Sequence, residues 1–245
     1  MTMSQLPYST IIVSGDDAFD FLQAQLAADL SRLSDGTSPS RARTDQEQGR
    51  TVGNAVLSAW CNPKGRVICL LRVAQADGAY SLTLPTELTE EVVKRLTMFR
   101  FRARVEFAVT QTAPRQLGVK GTFDTWQLEN LRAGVPEILQ AQSEKFTPHM
   151  LNLDLLGAVS VDKGCYPGQE IVARTHFRGT TKRRCLRFES SEPVSPGDKV
   201  FDGERDVGEV VNVIGNELLA VVPTDGTGME LSVGGIPLRH IPLDS

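Results

Sequence analysis

Apolar residues recur along the first half of this chain with two different periods. A short apolar run predicts a strand over residues 10–14, and the run ends at a glycine followed by two aspartates. A helical period comes next, and its apolar face is formed by Phe19, Leu22, Leu26 and Leu30. The breaker-rich stretch 31–53 is predicted to be a loop that separates this unit from the next periodic block.

The block from residue 52 to residue 110 predicts three strands, one helix and a fourth strand. The helix opens at Pro85 and Thr86, its apolar residues are spaced by four, four and three, and its acidic residues precede its basic ones. Such an order is typical of an antiparallel sheet with helices on one face, so we predict an α+β body. The four strands are expected over 52–60, 66–75, 80–84 and 104–110. A further helix is expected around 126–132.

From residue 184 onward, short β runs alternate with Pro-Gly, Asp-Gly and Gly-Asn turns. Regular short strands separated by turn residues predict a small closed or nearly closed barrel. We therefore divide the chain into a body over residues 1–184 and a C-terminal β-barrel over residues 185–245.

Composition narrows the classes of protein to be considered. The chain has 245 residues, 40% of them hydrophobic and 23% charged, which excludes disordered and collagen-like classes. No apolar run approaches the roughly 18 residues of a membrane-spanning helix, and the first residues do not have the pattern of a secretory signal, so we expect a cytoplasmic protein without membrane contact. The net charge of −4 argues against a surface built wholly for nucleic acid. The cysteines form no C-x-x-C pair, so we expect four free thiols and no metal site.

The segment KGCYPGQE, residues 163–170, places one thiol between two glycines and a proline and then enters a helical pattern. Gly164 and Gly168 permit positive φ or close approach, and Pro167 fixes the chain ahead of a helix start. Cys165 should then lie near unpaired N–H groups and the Lys163 ammonium, which together would lower its pKa and give a reactive thiolate. The alternative is that Cys165 is a small buried apolar residue.

This motif resembles the signature of the YgfZ-type folate-binding proteins, which are relatives of the aminomethyltransferase (T-protein) of the glycine cleavage system. The resemblance extends along the chain in the expected order: SGDDAFDFLQAQLAADL, CNPKGRV, RAGVPEI, FTPHMLNLDLLGAVSVDKGCYPGQEIVAR and FRGTTKR. It implies a T-protein-like folate-binding body of antiparallel sheets and helices, arranged as a ring of subdomains with a reduced folate in a central cavity. A C-terminal β-barrel would close the assembly.

The resemblance also implies a function. The resemblance implies that the chain binds tetrahydrofolate or a substituted reduced folate and supports iron-sulphur enzymes, including those that modify tRNA. Cys165 would be the functional thiol, and Trp126 and Tyr8 would stack against the folate ring, although both could instead pack in the core. The motif itself offers the remaining candidate folate-binding residues: Lys163, Tyr166, Gln169, Glu170 and Arg174.

Two departures from the family pattern concern turnover and size. T-proteins carry an aspartate shortly after the turn that CNPKGRV resembles, whereas residues 66–70 here contain no carboxylate. Losing such a charged partner costs about 10² to 10³ in rate, so we expect no classical aminomethyl transfer, and a folate-dependent one-carbon transferase remains the enzyme alternative. The segment between residues 110 and 126 is short, so we expect the middle subdomain to be trimmed.

A basic stretch adjoins the motif. Between residues 163 and 187 seven basic residues accompany one acid, Glu170. Such a patch suits the glutamate tail of a folate, an RNA backbone or an acidic protein partner. We expect iron-sulphur client or assembly proteins as partners, and contact with tRNA through Lys182, Arg183 and Arg184. A solvated linker into the barrel is the alternative.

Overall fold

The computed structural model describes residues 7–33, 51–52, 55–112, 114–179 and 181–244. Most of the loop predicted over 31–53 lies outside the described residues. Within the described residues the body contains six strands: β1 (Tyr8–Ser14), β2 (Thr51–Val52), β3 (Ala55–Cys61), β4 (Val67–Ala76), β5 (Ala79–Pro85) and β6 (Glu106–Gln111). They form one sheet in the order β2-β3-β4-β5-β1-β6, and every pair in it is antiparallel. The described helices are α1 (Ala18–Gln25), α2 (Thr86–Phe99), α3 (Phe123–Arg132) and α4 (Gln169–Arg178).

Strand β3 is buried on both faces of the sheet, whereas the edge strand β6 is largely exposed. Because successive side chains of a strand point to opposite faces, the residues of β3 alternate between two cores. Val56 and Trp60 join the core formed with α1 and α2, whereas Leu57, Ala59 and Cys61 join a second core. The predicted α+β class is confirmed, but the helices are not the only cover. The segment after α3 and part of the barrel occupy the other face.

Helix α2 follows the predicted apolar pattern. Leu88, Val92 and Leu96 are buried against the sheet, since residues four apart share one face of a helix. Arg95 pairs with Glu91 one turn earlier at 2.6 Å, and also reaches Glu144 at 2.6 Å. The pattern also places Phe99 on the apolar face, but this residue lies at the end of the helix and remains 38% exposed.

The C-terminal part is a closed six-stranded barrel, as predicted. Its strands are β7 (Arg183–Ser190), β8 (Lys199–Asp202), β9 (Arg205–Ile214), β10 (Glu217–Pro223), β11 (Leu231–Val233) and β12 (Ile236–Ile241). Their order around the barrel is β10-β7-β12-β11-β8-β9, and closure leaves no unpaired edge. The sequence analysis does not predict β12, because Pro237 interrupts the apolar run and the side chains of this strand are partly buried or exposed.

Apolar packing and several ion pairs join the barrel to the body. Cys185, Leu219 and Val221 of the barrel lie in the second core with body residues. At the edge of this contact the Glu217 carboxylate accepts from the Arg132 guanidinium of α3 at 2.5 Å and from that of Arg187 of β7 at 2.6 Å. Arg187 is 93% buried at its side chain, so Glu217 neutralises a charge that water cannot reach.

Candidate functional site

Two motifs that lie a hundred residues apart in sequence meet backbone to backbone. A Cβ placed on Gly168 would lie 2.5 Å from the Asn62 carbonyl oxygen and 2.8 Å from the Gly65 Cα. A Cβ on Gly65 would lie 2.9 Å from the Ile171 Cβ in turn. Both glycines also have positive φ, +81° at Gly168 and +68° at Gly65. The turn of CNPKGRV therefore supports the loop of KGCYPGQE, and both positions require glycine.

The loop presents Cys165 to solvent. Cys165 is exposed, and a Cβ on the neighbouring Gly164 would meet no atom within 4 Å. The three other cysteines are buried free thiols, and burial raises the pKa of Cys61 and of Cys185 to about 12. Cys165 is thus the accessible thiol among the four, and the alternative of a buried apolar cysteine does not hold.

Lys163 has a different environment from the one expected. Its ammonium donates to the carbonyl oxygens of Gln23, Leu26 and Ala28 at 2.5, 2.8 and 2.9 Å, where α1 ends. These are carbonyls that a helix end leaves without intrahelical partners, and a cation there is favourable. Burial lowers the pKa of Lys163 to about 8. Lys163 therefore ties the loop to α1, and its charge is committed to these carbonyls. Activation of Cys165 stays a prediction.

Tyr166 and Gln169 also shape the loop. Tyr166 is buried in the second core and donates its hydroxyl to the Ser160 carbonyl oxygen at 2.9 Å. Gln169 donates its side-chain amide to the Lys163 carbonyl oxygen at 3.0 Å. Glu170 and Arg174 pair with each other at 3.3 Å on the exposed side of α4. Arg174 thus does not turn back toward a cavity, contrary to the sequence expectation.

Tyr8 and Trp126 lie together at a second place in the fold. With Leu117 they form a small buried cluster, which the partly buried Phe123 joins. The Tyr8 ring meets the Trp126 ring edge to face at 5.8 Å, and Phe123 stacks on Trp126 at 5.4 Å with 22° between planes. The Trp126 indole donates to the Leu117 carbonyl oxygen at 3.0 Å. The two aromatics expected to stack against folate lie side by side, but both rings pack against other side chains, and their contact with folate stays a prediction.

Polar groups line the cavity beside this cluster. The Tyr8 hydroxyl donates to the Glu137 carboxylate, and Gln127 donates to the other oxygen of that carboxylate at 3.2 Å. Asn212 of the barrel fixes the backbone of Glu137 through two hydrogen bonds of 2.8 Å. The Arg72 guanidinium lies 4.6 Å above the Trp126 ring. The free space between these groups is about 20 Å³, enough for about one water molecule.

Burial affects the titration of this cluster. Desolvation is the largest cause that raises the pKa of Tyr8 far above its ordinary value, and the adjacent Glu137 carboxylate adds to it. Desolvation also lowers the pKa of the Arg72 guanidinium, opposed by Tyr8 and Glu137. The hydroxyl therefore stays protonated as a donor at neutral pH. A carboxylate acceptor, a phenol donor and a guanidinium donor thus converge on one small cavity.

The thiol loop and the cavity are separate in the structure, whereas the sequence analysis assigns the motif residues and the two aromatics to the same folate. The described residues that line the cavity include none from 163–170. Arg72 stands six residues beyond Arg66 along β4, about 20 Å at 3.3 Å per residue. Cys165 belongs to the loop packed on the turn that ends at Arg66. The sequence motifs therefore define two sites.

Sequence reasoning missed the polar residues of the cavity. Glu137 lies inside RAGVPEI, one of the segments that resemble the family, so that segment is the signal that could have found it. Arg72 and Asn212 lie within strands, where one polar residue gives no signal.

The basic stretch consists of ion-paired arginines and exposed basic residues in the structure. Arg184 forms a two-pronged ion pair with Asp154, at 2.6 and 2.9 Å, and so is not available to RNA as the sequence predicts. Arg187 is committed to Glu217. Lys182 and Arg183 are exposed. Only part of the predicted patch can therefore meet an anionic partner.

Grouped metal ligands and a membrane-spanning helix are both absent from the described part of the chain. No three or more His, Cys, Asp or Glu side chains are grouped so that they could hold a metal ion. Among the same residues, no helix has the length and apolar character needed to span a membrane.

Comparisons with known proteins agree with this architecture. Residues 182–244 match the family model of the CAF17 C-terminal β-barrel domain. A "tRNA-modifying protein YgfZ" of Vibrio atlanticus is 25% identical, covering 82% of this chain and 74% of its own. The protein of the same name from Klebsiella pneumoniae is 26% identical, covering 92% and 82%. An Escherichia coli protein of that name is 42% identical over 101 residues, 41% of this chain and 31% of its own.

A solved structure shares the fold. The aminomethyltransferase T of the glycine cleavage system from Bartonella henselae superposes with a TM-score of 0.66, covering 96% of this chain and 82% of its own at 15% identity. Together these similarities confirm the resemblance to YgfZ-type proteins and the aminomethyltransferase-like fold with its C-terminal barrel.

Proposed function

We propose that this chain binds tetrahydrofolate or a substituted reduced folate and supports the assembly or repair of iron-sulphur enzymes, including enzymes that modify tRNA. Similarity to proteins named tRNA-modifying protein YgfZ over most of the chain supports the connection with tRNA modification. The aminomethyltransferase-like fold supports a cavity for folate. Cys165 is the functional thiol in this proposal.

The observation that carries the proposal is the polar cavity beside Trp126. The pyrimidine edge of a pterin offers two adjacent N–H donors with a carbonyl oxygen beside them. A carboxylate accepts both donors, and a guanidinium donates to the oxygen. Glu137 and Arg72 supply these groups side by side, with an aromatic ring next to them. The chemistry of the donor set therefore fits a pterin.

The space in the cavity sets a condition on binding. About 20 Å³ does not admit a pterin ring, so a side chain of the wall must move when folate enters. When bound, the folate would supply one-carbon chemistry or act as a regulatory ligand. The residues of this chain would orient it: Glu137 would hold the ring edge, and Tyr8 would keep its proton as a hydrogen-bond donor.

The accessible thiol supports the second half of the proposal. Cys165 stands at the surface on a loop fixed by Gly168 and Lys163, so a protein partner or a cluster in transit can reach it. The iron-sulphur cluster is cargo in this proposal and needs no resident site. For contact with tRNA, Lys182 and Arg183 are the exposed basic residues next to α4.

Folate-dependent aminomethyl transfer is the rival activity. After the turn at Asn62–Arg66, residues 67–70 are apolar and buried in strand β4. No carboxylate therefore stands where the T-protein pattern has its aspartate. A turnover assay with tetrahydrofolate and an aminomethylated carrier should give no product.

Thermal denaturation tests folate binding. Tetrahydrofolate should raise the melting temperature of the protein, because a ligand that binds only the folded state stabilises it, by about 2.7 kcal/mol at 100 times Kd. Glu137→Gln should lose most of this rise, whereas Glu129→Gln on the exposed side of α3 should keep it. Equal melting with and without millimolar folate would contradict the proposal.

Complementation tests the thiol. Cys165→Ala should fold as the wild type does and fail to restore cells that lack iron-sulphur enzyme activity. Cys185→Ala is the control for loss of a thiol as such. Full restoration by the Cys165 variant would make the thiol dispensable.

A further inference from the structure

Arg72 stands out in the cavity because it is buried without full hydrogen bonding. The residue is 8% exposed, and its Nε is buried with no hydrogen-bond partner among the described residues. The hydrogen bond of its guanidinium to the Asn130 side chain is long, at 3.3 Å. A buried donor without a partner is costly, all the more when it is charged. No described residue therefore supplies a hydrogen-bond acceptor to this nitrogen.

The position of the same side chain blocks the aromatic face. The guanidinium lies 4.6 Å over the Trp126 ring, while Phe123 stacks on that ring and Tyr8 meets it edge on. Phe123 and Tyr8 are rigid rings packed into the cluster. Arg72 interacts with Tyr8, Glu137 and Asn130, but its side chain is long, has several rotatable bonds and keeps one buried donor unpaired, so it is the wall element most able to move. A flat ligand that stacks on Trp126 must displace it.

We propose that Arg72 is the specificity-determining residue of this cavity. Its guanidinium moves off the Trp126 ring only when the entering ring offers an acceptor oxygen next to the donor pair that Glu137 binds. A 2-amino-4-oxopteridine has that oxygen. A 2,4-diaminopteridine has an amino group in its place, which would point N–H donors at the guanidinium and leave it unpaired. This inference rests on the proposed folate binding.

The probes are folic acid and 4-aminofolic acid, in which an amino group replaces the ring oxygen and the adjacent ring N–H is lost with it, so that Glu137 also loses one donor. Wild-type protein should bind folic acid at least about tenfold more tightly, since a hydrogen bond to a charged group is lost with the amino compound. Arg72→Met keeps the volume of the side chain and removes its donors. This variant should keep only the part of the preference that comes from Glu137, and its ratio of the two affinities should be at least about fivefold smaller than that of the wild type. Arg102→Met, at an exposed arginine outside the cavity, should discriminate as the wild type does.

Titration of both compounds by isothermal calorimetry on the full chain decides the matter. If Arg72→Met keeps the wild-type preference, Arg72 does not read the ring and the inference fails, while folate binding stands. If the wild type binds neither compound nor tetrahydrofolate, the folate proposal fails and the inference falls with it. If Arg72→Met does not fold, Arg72→Gln replaces it. Its amide both donates and accepts, so it should accept both rings, and wild-type discrimination by this variant would overturn the inference.

Discussion

Replacing Gly168 with alanine tests whether the thiol loop depends on close backbone contact. The new Cβ would lie 2.5 Å from the Asn62 carbonyl oxygen, where ordinary contacts begin at 3.4 Å, so the two loops must separate by about 0.9 Å. The positive φ of +81° adds about 1–2 kcal/mol for a residue with a side chain. We expect a loss of at least about 2 kcal/mol, or a fall of about 4–8 °C in Tm for a chain of this size.

Gly164→Ala is the matched control within the same motif. A Cβ at Gly164 would meet nothing within 4 Å, and its φ is not positive. We expect its stability to equal that of the wild type or to exceed it slightly, because alanine has less freedom in the unfolded chain. Urea denaturation gives the stabilities, and the rate of iodoacetamide reaction at Cys165 reports whether the loop has moved. Equal stability of the two variants would refute the reasoning.

Three further results are expected. Iodoacetamide should modify Cys165 in the folded protein and leave the three buried thiols unmodified until denaturant is added. Mass spectrometry of the digested protein would show the modified sites, and labelling of a buried thiol before denaturation would contradict the packing. Glu217→Ala should destabilise the protein by about 2–3 kcal/mol, because the buried Arg187 guanidinium would lose one charged partner and keep Asp244, which is 60% exposed; a loss below about 1 kcal/mol in urea denaturation would show that Glu217 is not needed. The free energy of unfolding should fall as pH rises from about 9 toward 12, because the thiols lose their protons in the unfolded chain and keep them when buried, by about 1.4 kcal/mol per pH unit for each thiol. Lys163, whose pKa is lowered to about 8, opposes this fall between pH 8 and about 10.5. A urea midpoint that stays constant from about pH 8.5 to 10 would contradict the expected sign.

The elements of the fold follow closely from local patterns. The nearly continuous apolar run of β3 and the helical spacing of α2 predict both elements, because each pattern is set by residues that are neighbours in sequence. The turn residues after position 184 predict the barrel for the same reason. Strand β12 was missed, since a half-buried strand with a proline carries little pattern.

The candidate sites depend more on distant contacts. In KGCYPGQE, the glycines and the thiol are a local signal, and the loop and its exposed cysteine were found from it. Lys163 was expected beside the thiol, yet its long side chain reaches carbonyls about 140 positions earlier, which no local spacing reveals. Trp126 and Tyr8 were paired through the family resemblance, and the structure shows that Arg72 and Phe123 cover the ring.

The sequence by itself determined most of the strands, the helices, the closed barrel and the glycine-shaped loop, because these follow from backbone preferences and from the spacing of apolar and polar residues. Only the tertiary structure decided that Cys165 and the polar cavity are two places and that Glu137 and Arg72 share the second. The physical reason is that a buried charged side chain is stabilised by partners that lie far away along the chain. A single arginine within a strand looks the same in sequence whether it faces water or lies over a tryptophan.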